Sequence, residues 1–182
     1  MIRPIAIRAL AALAVITLLL TAVPCRAETW RPMDRDGLRK KSLLGYCNCV
    51  FSTQDIPKGR EKDVPLKDEF TAPEPVYARC YFPEKIGPLR AEDFWHEIWI
   101  DGRLAQFTRF KKPPPPDWDQ VAVWVTAEDY AEEMKHLEPG EHEIVIWVLK
   151  NADPKPHSDT EPFIPEPQRL SRGRFLYTVP KK

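Results

Sequence analysis

Histidine, cysteine, paired carboxylates and tryptophan are the residue types through which this chain could do chemistry or bind. The four histidines are His96, His136, His142 and His157, and no two have the spacing of a His-Glu-x-x-His zinc helix. Met134 and His136 stand two apart, a pair that a soft copper site could use. Tyr130, Met134 and Leu137 fall at helical spacing, however, which packs Met134 inward and leaves His136 exposed. Nucleophilic catalysis needs a Ser or Cys beside a His and an orienting acid. The chain has no Gly-x-Ser-x-Gly elbow, and its 7 glycines form no phosphate-cradling loop. Glu92-Asp93, Glu128-Asp129 and Glu132-Glu133 lie at element starts or on a helix surface, where the helix dipole alone accounts for acid. No catalytic residue, metal site or cofactor is therefore expected, and a non-enzymatic role is favoured.

Cysteine is more informative. Cys47-Asn48-Cys49 has one residue between thiols, too few for a redox Cys-x-x-Cys or a haem attachment site. In an extended strand both side chains would share a face. An exported chain meets an oxidising compartment, so one of Cys47 and Cys49 is expected to bridge Cys80. A three-thiolate metal site of Cys47, Cys49 and Cys80 is the alternative. The remaining thiol would pair with Cys25 or with another chain.

Tryptophan supplies the candidate binding residues. Trp95, Trp99, Trp124 and Trp147 all fall in predicted strands, and Trp118 follows a run of four prolines. If Ile98, Ile100, Val123, Val125, Ile144, Ile146 and Val148 face inward, the four strand tryptophans face the opposite side. Left open, such a surface would bind a sugar ring, a protein or another subunit. Covered by the helix or by the N-terminal part of the chain, the same residues would be a second core.

Residues 1–27 have a separate character. Arg3 and Arg8 precede an apolar run from Ala9 to Ala22, followed by Pro24 and Cys25-Arg26-Ala27. A short basic start, an apolar stretch and a small-residue end form a secretory signal. The run is shorter than the ~20 residues of a membrane span. Cleavage is expected after Ala27; cleavage after Ala22 would keep Cys25. Lipid attachment at Cys25 is disfavoured because Pro24 replaces the small residue that such sites carry. The whole chain holds 27 basic and 27 acidic side chains. Losing Arg3, Arg8 and Arg26 leaves a net charge of −3, with no general pull toward nucleic acid or anionic lipid. A periplasmic or extracellular protein, with no membrane span after cleavage, is the expectation.

Residues 28–69 read as an N-terminal extension with one strand, Gly45 to Ser52, and residues 70–182 as the main domain. Val76, Ala78, Cys80 and Phe82 alternate on one face of a strand. Phe94–Ile100 and Arg103–Phe110 flank Asp101-Gly102, a strong hairpin signal because both turn positions need positive φ. A two-residue turn pairs Ile100 with Arg103, Ile98 with Ala105 and His96 with Phe107, which makes His96 a sheet residue rather than a ligand. Pro113 to Pro116 cannot join a ladder and form a loop. Val121–Val125 is the next strand, Ala127–Leu137 a helix capped by Thr126, and His142–Leu149 the clearest strand of all. Residues 151–173 read as a proline-rich loop before a last strand, Phe175–Val179.

Recurrent short strands and one helix predict an all-β, antiparallel sandwich. Leu137-Glu-Pro-Gly-Glu-His142-Glu-Ile144-Val-Ile146 resembles the crossover into the penultimate strand of immunoglobulin-like domains, with His142 where Tyr is commoner. The resemblance covers about residues 70–180 and implies a fold but no catalytic residues. The expectation is an exported, non-catalytic sandwich that binds an envelope or extracellular protein, or a glycan. Recognition would use the tryptophan face and the loops Lys112–Trp118 and Asp153–Gln168. A carbohydrate-binding module and a secreted thiol or copper protein are the rivals.

Overall fold

A computed structural model describes residues 46–125, 131–150 and 168–181, all within one unit of the chain. The expected signal segment, Thr126 and residues 151–167 of the expected proline-rich loop lie outside the described residues. Among the described residues eight strands form one sheet: β1 (Cys47–Ser52), β2 (Glu69–Thr71), β3 (Tyr77–Tyr81), β4 (Phe94–Ile100), β5 (Arg103–Arg109), β6 (Gln120–Trp124), β7 (Gly140–Lys150) and β8 (Arg169–Val179). A short helix, α1 (Ala131–Lys135), precedes β7. The strand order is β5-β4-β7-β8-β1-β3-β6, with β2 also paired to β8. The class is all-β, and the sheet curls into a half-barrel.

Local sequence explains most strands. Val76, Ala78, Cys80 and Phe82 are all buried on the inner face, as their alternation requires. Asp101 and Gly102 take φ of 50° and 76°, the two left-handed positions of a tight hairpin turn. Ile100 pairs with Arg103 as expected, but a bulge then shifts the ladder. Ile98 faces Gln106 and His96 faces Thr108, which corrects the pairing of Ile98 with Ala105 and of His96 with Phe107. One extra residue on β5, at Ala105, is the physical reason.

Long-range pairing departs further from expectation. The sheet is mixed rather than antiparallel, because β1 and β2 run parallel to β8. β8 begins at Arg169, so residues 169–173, expected in a loop, lie in a strand, and all of them but Leu170 are ladder partners of β7. The segment read as an extension supplies β1, which lies between β8 and β3. Residues 53–67 then fold back over the outside of β1 and β3. There Ile56 and Val64 pack on Cys47, Val50 and Tyr81, and the buried Arg79 donates from Nε to the Ile56 carbonyl at 2.9 Å. Burial holds the Arg79 guanidinium below its ordinary pKa.

The inner core draws on seven strands and α1. Phe51, Phe70, Phe94, Ile144, Ile146 and Phe175 are among its nearly inaccessible members, each adding roughly 1.5–3 kcal/mol by burial. Met134 is buried in this core and Leu137 packs against it, as helical spacing implied. β8 crosses close to β1 at Gly173, where a Cβ atom would lie 2.5 Å from the Cys49 Cβ and 2.5 Å from the Phe51 ring.

Candidate functional site

The tryptophans occupy three different places. Ile98, Ile144, Ile146 and Val148 belong to the inner core, so Trp95, Trp99 and Trp147 project from the opposite face of β4 and β7. They are 1%, 1% and 6% exposed and form a second core with Tyr46, Val145 and Leu149. Leu104 and Phe107 of β5 pack at its border. Tyr46 meets Trp147 edge-on at 5.0 Å, and Trp95 lies 5.5 Å from Phe107. The Trp99 indole donates to Glu97 at 3.0 Å, and the Arg172 guanidinium lies over the Trp147 ring at 5.6 Å. Rings buried to this degree offer no open face on which a sugar could stack.

Trp124 stands apart because β6 lies at the far end of the curled sheet, beyond β3. It is 56% exposed and pairs in register with Tyr77. Trp118 ends the proline loop half-buried, with the Lys58 ammonium 4.3 Å from its ring centroid. The structure therefore splits the five candidate residues, whereas period-two spacing had placed four of them on one side. Periodicity assigns a face within a strand; it does not say where a curled sheet turns that face.

Cys49 and Cys80 are directly opposed on β1 and β3 and form a disulfide. Cys47 is buried among Val50, Ile56, Val64 and Tyr81, away from the Cys49 side chain. The expected shared face is corrected: Cys47 packs with Val50, three residues on, whereas Cys49 packs with Phe51, so strict alternation is broken within the stretch where β1 changes partner. β1 runs parallel to β8 at Cys47 and Asn48, then antiparallel to β3 from Cys49 onward. The bridge takes up two of the three thiolates that the metal alternative required. Among the described residues no group of three or more His, Cys, Asp or Glu is arranged to hold a metal.

Each described histidine on a strand is held by its surroundings. His96 lies on the inner face, 4.8 Å edge-on from Phe110, and burial lowers its pKa to about 3, so the ring is neutral. His142 joins two segments: Nδ1 bonds Asp101 Oδ2 at 2.8 Å and Nε2 bonds the Glu138 carbonyl at 2.8 Å. Asp101 also accepts the Glu143 N–H at 2.9 Å, tying the β4–β5 turn to β7. These two acceptors raise the His142 pKa above its ordinary value, the Asp101 bond first.

One feature of β5 escaped sequence reasoning. Arg103, Arg109, Lys111 and Lys112 are all exposed, and no Asp or Glu occurs between Gly102 and Pro116. The charge run was readable, but only the sheet order puts it on an edge strand. No family model, curated protein or solved structure matches the chain.

Proposed function

We propose that the protein is an exported, non-catalytic β-domain of immunoglobulin-like type that binds or assembles a partner in the cell envelope. The observation that carries the reading is the Cys49–Cys80 bridge between the neighbouring strands β1 and β3, a bond that persists in an oxidising compartment. The basic start and apolar run of residues 1–27 supply the matching export signal. The side chains with chemical potential are engaged structurally: His96 in the core, His142 in a two-sided bond, Glu97 on Trp99.

The immunoglobulin-like element of the reading draws on β7. The Leu137-Glu-Pro-Gly run enters it, and His142 bonds back to the carbonyl four residues upstream, the role that Tyr plays in a tyrosine corner. The parallel pairings of β8 and the in-sheet disulfide differ from that fold's usual plan.

The test is expression of the full chain in a host with a periplasm, followed by cross-linking, fractionation and intact mass. The reading expects loss of residues 1–27, one disulfide, and covalent adducts with an envelope protein. A full-length, fully reduced chain in the cytoplasmic fraction would overturn it. So would a turnover activity lost on substituting any single polar residue.

A further inference from the structure

We propose that His142 is a proton-operated clasp: when its ring loses one proton, the turn at residues 138–140 that joins α1 to β7 comes free, while the β4–β5 turn stays tied. The clasp needs no partner and is independent of the docking reading above. A ring held between two acceptors serves both only while it carries two N–H groups. Nδ1 stands 2.8 Å from Asp101 Oδ2, and Nε2 stands 2.8 Å from the Glu138 carbonyl oxygen. The neutral ring has one N–H, and the Asp101 carboxylate, the stronger acceptor, keeps it. Nε2 then turns a lone pair on the Glu138 oxygen, and that contact becomes repulsive. The His142 side chain is 14% exposed, so the departing proton has a path to water.

The two sides of the ring are held differently. Asp101 takes a left-handed turn position at φ of 50°, donates its N–H to the Glu143 carbonyl at 2.9 Å, and accepts the Glu143 N–H at 2.9 Å. Opposite it, Glu138 is exposed, Pro139 has no N–H to anchor the turn, and Gly140 stands at φ of 152°, a backbone open chiefly to glycine. The side with fewer ties yields. Leu137 packs against the inner core, so release of the turn loosens an apolar contact there. Among the described residues, the charged groups of the neighbouring elements are Asp101 and Arg103 on the β4–β5 hairpin, and Lys135, His136 and Glu138 at the end of α1. β7 adds Glu141 and Glu143, the latter paired with Arg174 of β8. β8 also places Tyr177 in register with His142, and the Glu74 charge acts on it. Of these side chains, Asp101 is the one bonded to the ring. Burial first, then Glu74, holds the Tyr177 phenol above its ordinary pKa, so it stays neutral while imidazole titrates. The bonds to Asp101 and Glu138 hold the His142 pKa above 6.5, which puts release above that pH.

Nuclear magnetic resonance of the isotope-labelled full chain at pH 5.5 and 8.5 tests the clasp. Ring nitrogen shifts should show two N–H groups at the lower pH and Nδ1–H alone at the higher. Amide protection factors over residues 137–141 should fall about tenfold across that interval, whereas those of Asp101 and Glu143 should hold. Asp101→Asn supplies the control, since asparagine suits a left-handed turn. Its side-chain amide can donate to Nδ1, which leaves Nε2–H for Glu138 on the neutral ring. In that variant the turn should keep its protection at pH 8.5. An Nε2–H ring in wild type at pH 8.5, or unchanged protection over residues 137–141, would overturn the proposal without any variant. Equal loss at Asp101 and Glu143 would sink the one-sided release. The same loss in Asp101→Asn as in wild type would assign the pH response to another group, His136 foremost, and refute the clasp.

Discussion

Replacing Gly173 by Ala probes the closest approach in the core. The added Cβ would lie 2.5 Å from both the Cys49 Cβ and the Phe51 Cζ, and 3.2 Å from the Phe51 Cε2. Carbon atoms in contact prefer about 3.5–4.0 Å, so two neighbours must each yield about 1 Å. Neither yields cheaply. Cys49 is bonded to Cys80, and Phe51 is 1% exposed with its ring 4.9 Å from Phe175. Overpacking of this kind costs about 1–3 kcal/mol, and rigid neighbours argue for the upper end. Lower entropy of the unfolded chain returns about 0.4–1 kcal/mol, leaving a net loss of roughly 2 kcal/mol. For a domain of this size that lowers Tm by about 4–8 °C. Thermal and urea denaturation followed by circular dichroism would measure it. In a Phe51→Leu background, which removes the ring atoms facing Gly173, the same substitution should cost about 0.5–1 kcal/mol less. An unchanged or higher Tm for Gly173→Ala alone would refute the close crossing of β8 and β1.

Two opposite pH dependences are expected. Both partners of His142 are acceptors, so both of its bonds form together only on the protonated ring. Its folded pKa is raised, so its contribution is fully present below the unfolded pKa of about 6.5 and is lost as pH rises through the folded value. The stability gap between wild type and His142→Gln should therefore shrink on going from pH 5.5 to 8.5 in urea melts. His96 behaves oppositely: its folded pKa is about 3, so stability is lost as pH falls below about 6.5. The loss is about 1.4 kcal/mol per pH unit where only the unfolded ring is protonated, and His96→Leu should remove that slope. Trp95→Ala should cost about 3–5 kcal/mol, whereas Trp124→Ala, exposed on β6, should stay within about 0.5 kcal/mol of wild type by denaturant titration.

The parts legible in the sequence were those set by neighbours along the chain. Alternation in Val76–Phe82 gave the inner face of β3, and Asp101-Gly102 gave the β4–β5 turn, because a side chain's face and a turn's φ are local properties. The bulge at Ala105 was not legible, since a slipped ladder depends on what both strands pack against. Pairing between the ends of the chain was hidden for the same reason. Nothing in Cys47–Ser52 states that it runs beside Arg169–Val179, nor that the two are parallel. The candidate surface divided similarly. Strand spacing placed Trp95, Trp99 and Trp147 opposite the Ile and Val positions but could not reveal their burial. The cations of β5 were visible as residues, and their place on an edge was not.

The disulfide stands where the curled sheet changes hands. β1 leaves β8 after Asn48 and joins β3 at Cys49, the residue bonded to Cys80. Ser171 of β8 donates to the Tyr81 carbonyl of β3, and Gly173 of β8 lies against Cys49, so three links gather at one seam. The bridge closes a chain separation of 31 residues, and constraining that loop in the unfolded state is worth about 3–4 kcal/mol. Its removal by Cys49→Ala with Cys80→Ala should lower global stability by that amount. If the seam holds the two limbs of the half-barrel together, amide exchange should rise first in β1, β3 and residues 169–173 of β8. The β4–β5 hairpin, pinned to β7 by Asp101 and His142, should keep its protection at intermediate denaturant. Uniform acceleration across all strands would show that the bridge stabilises the domain only through the unfolded chain and that the seam is not a separate cooperative unit.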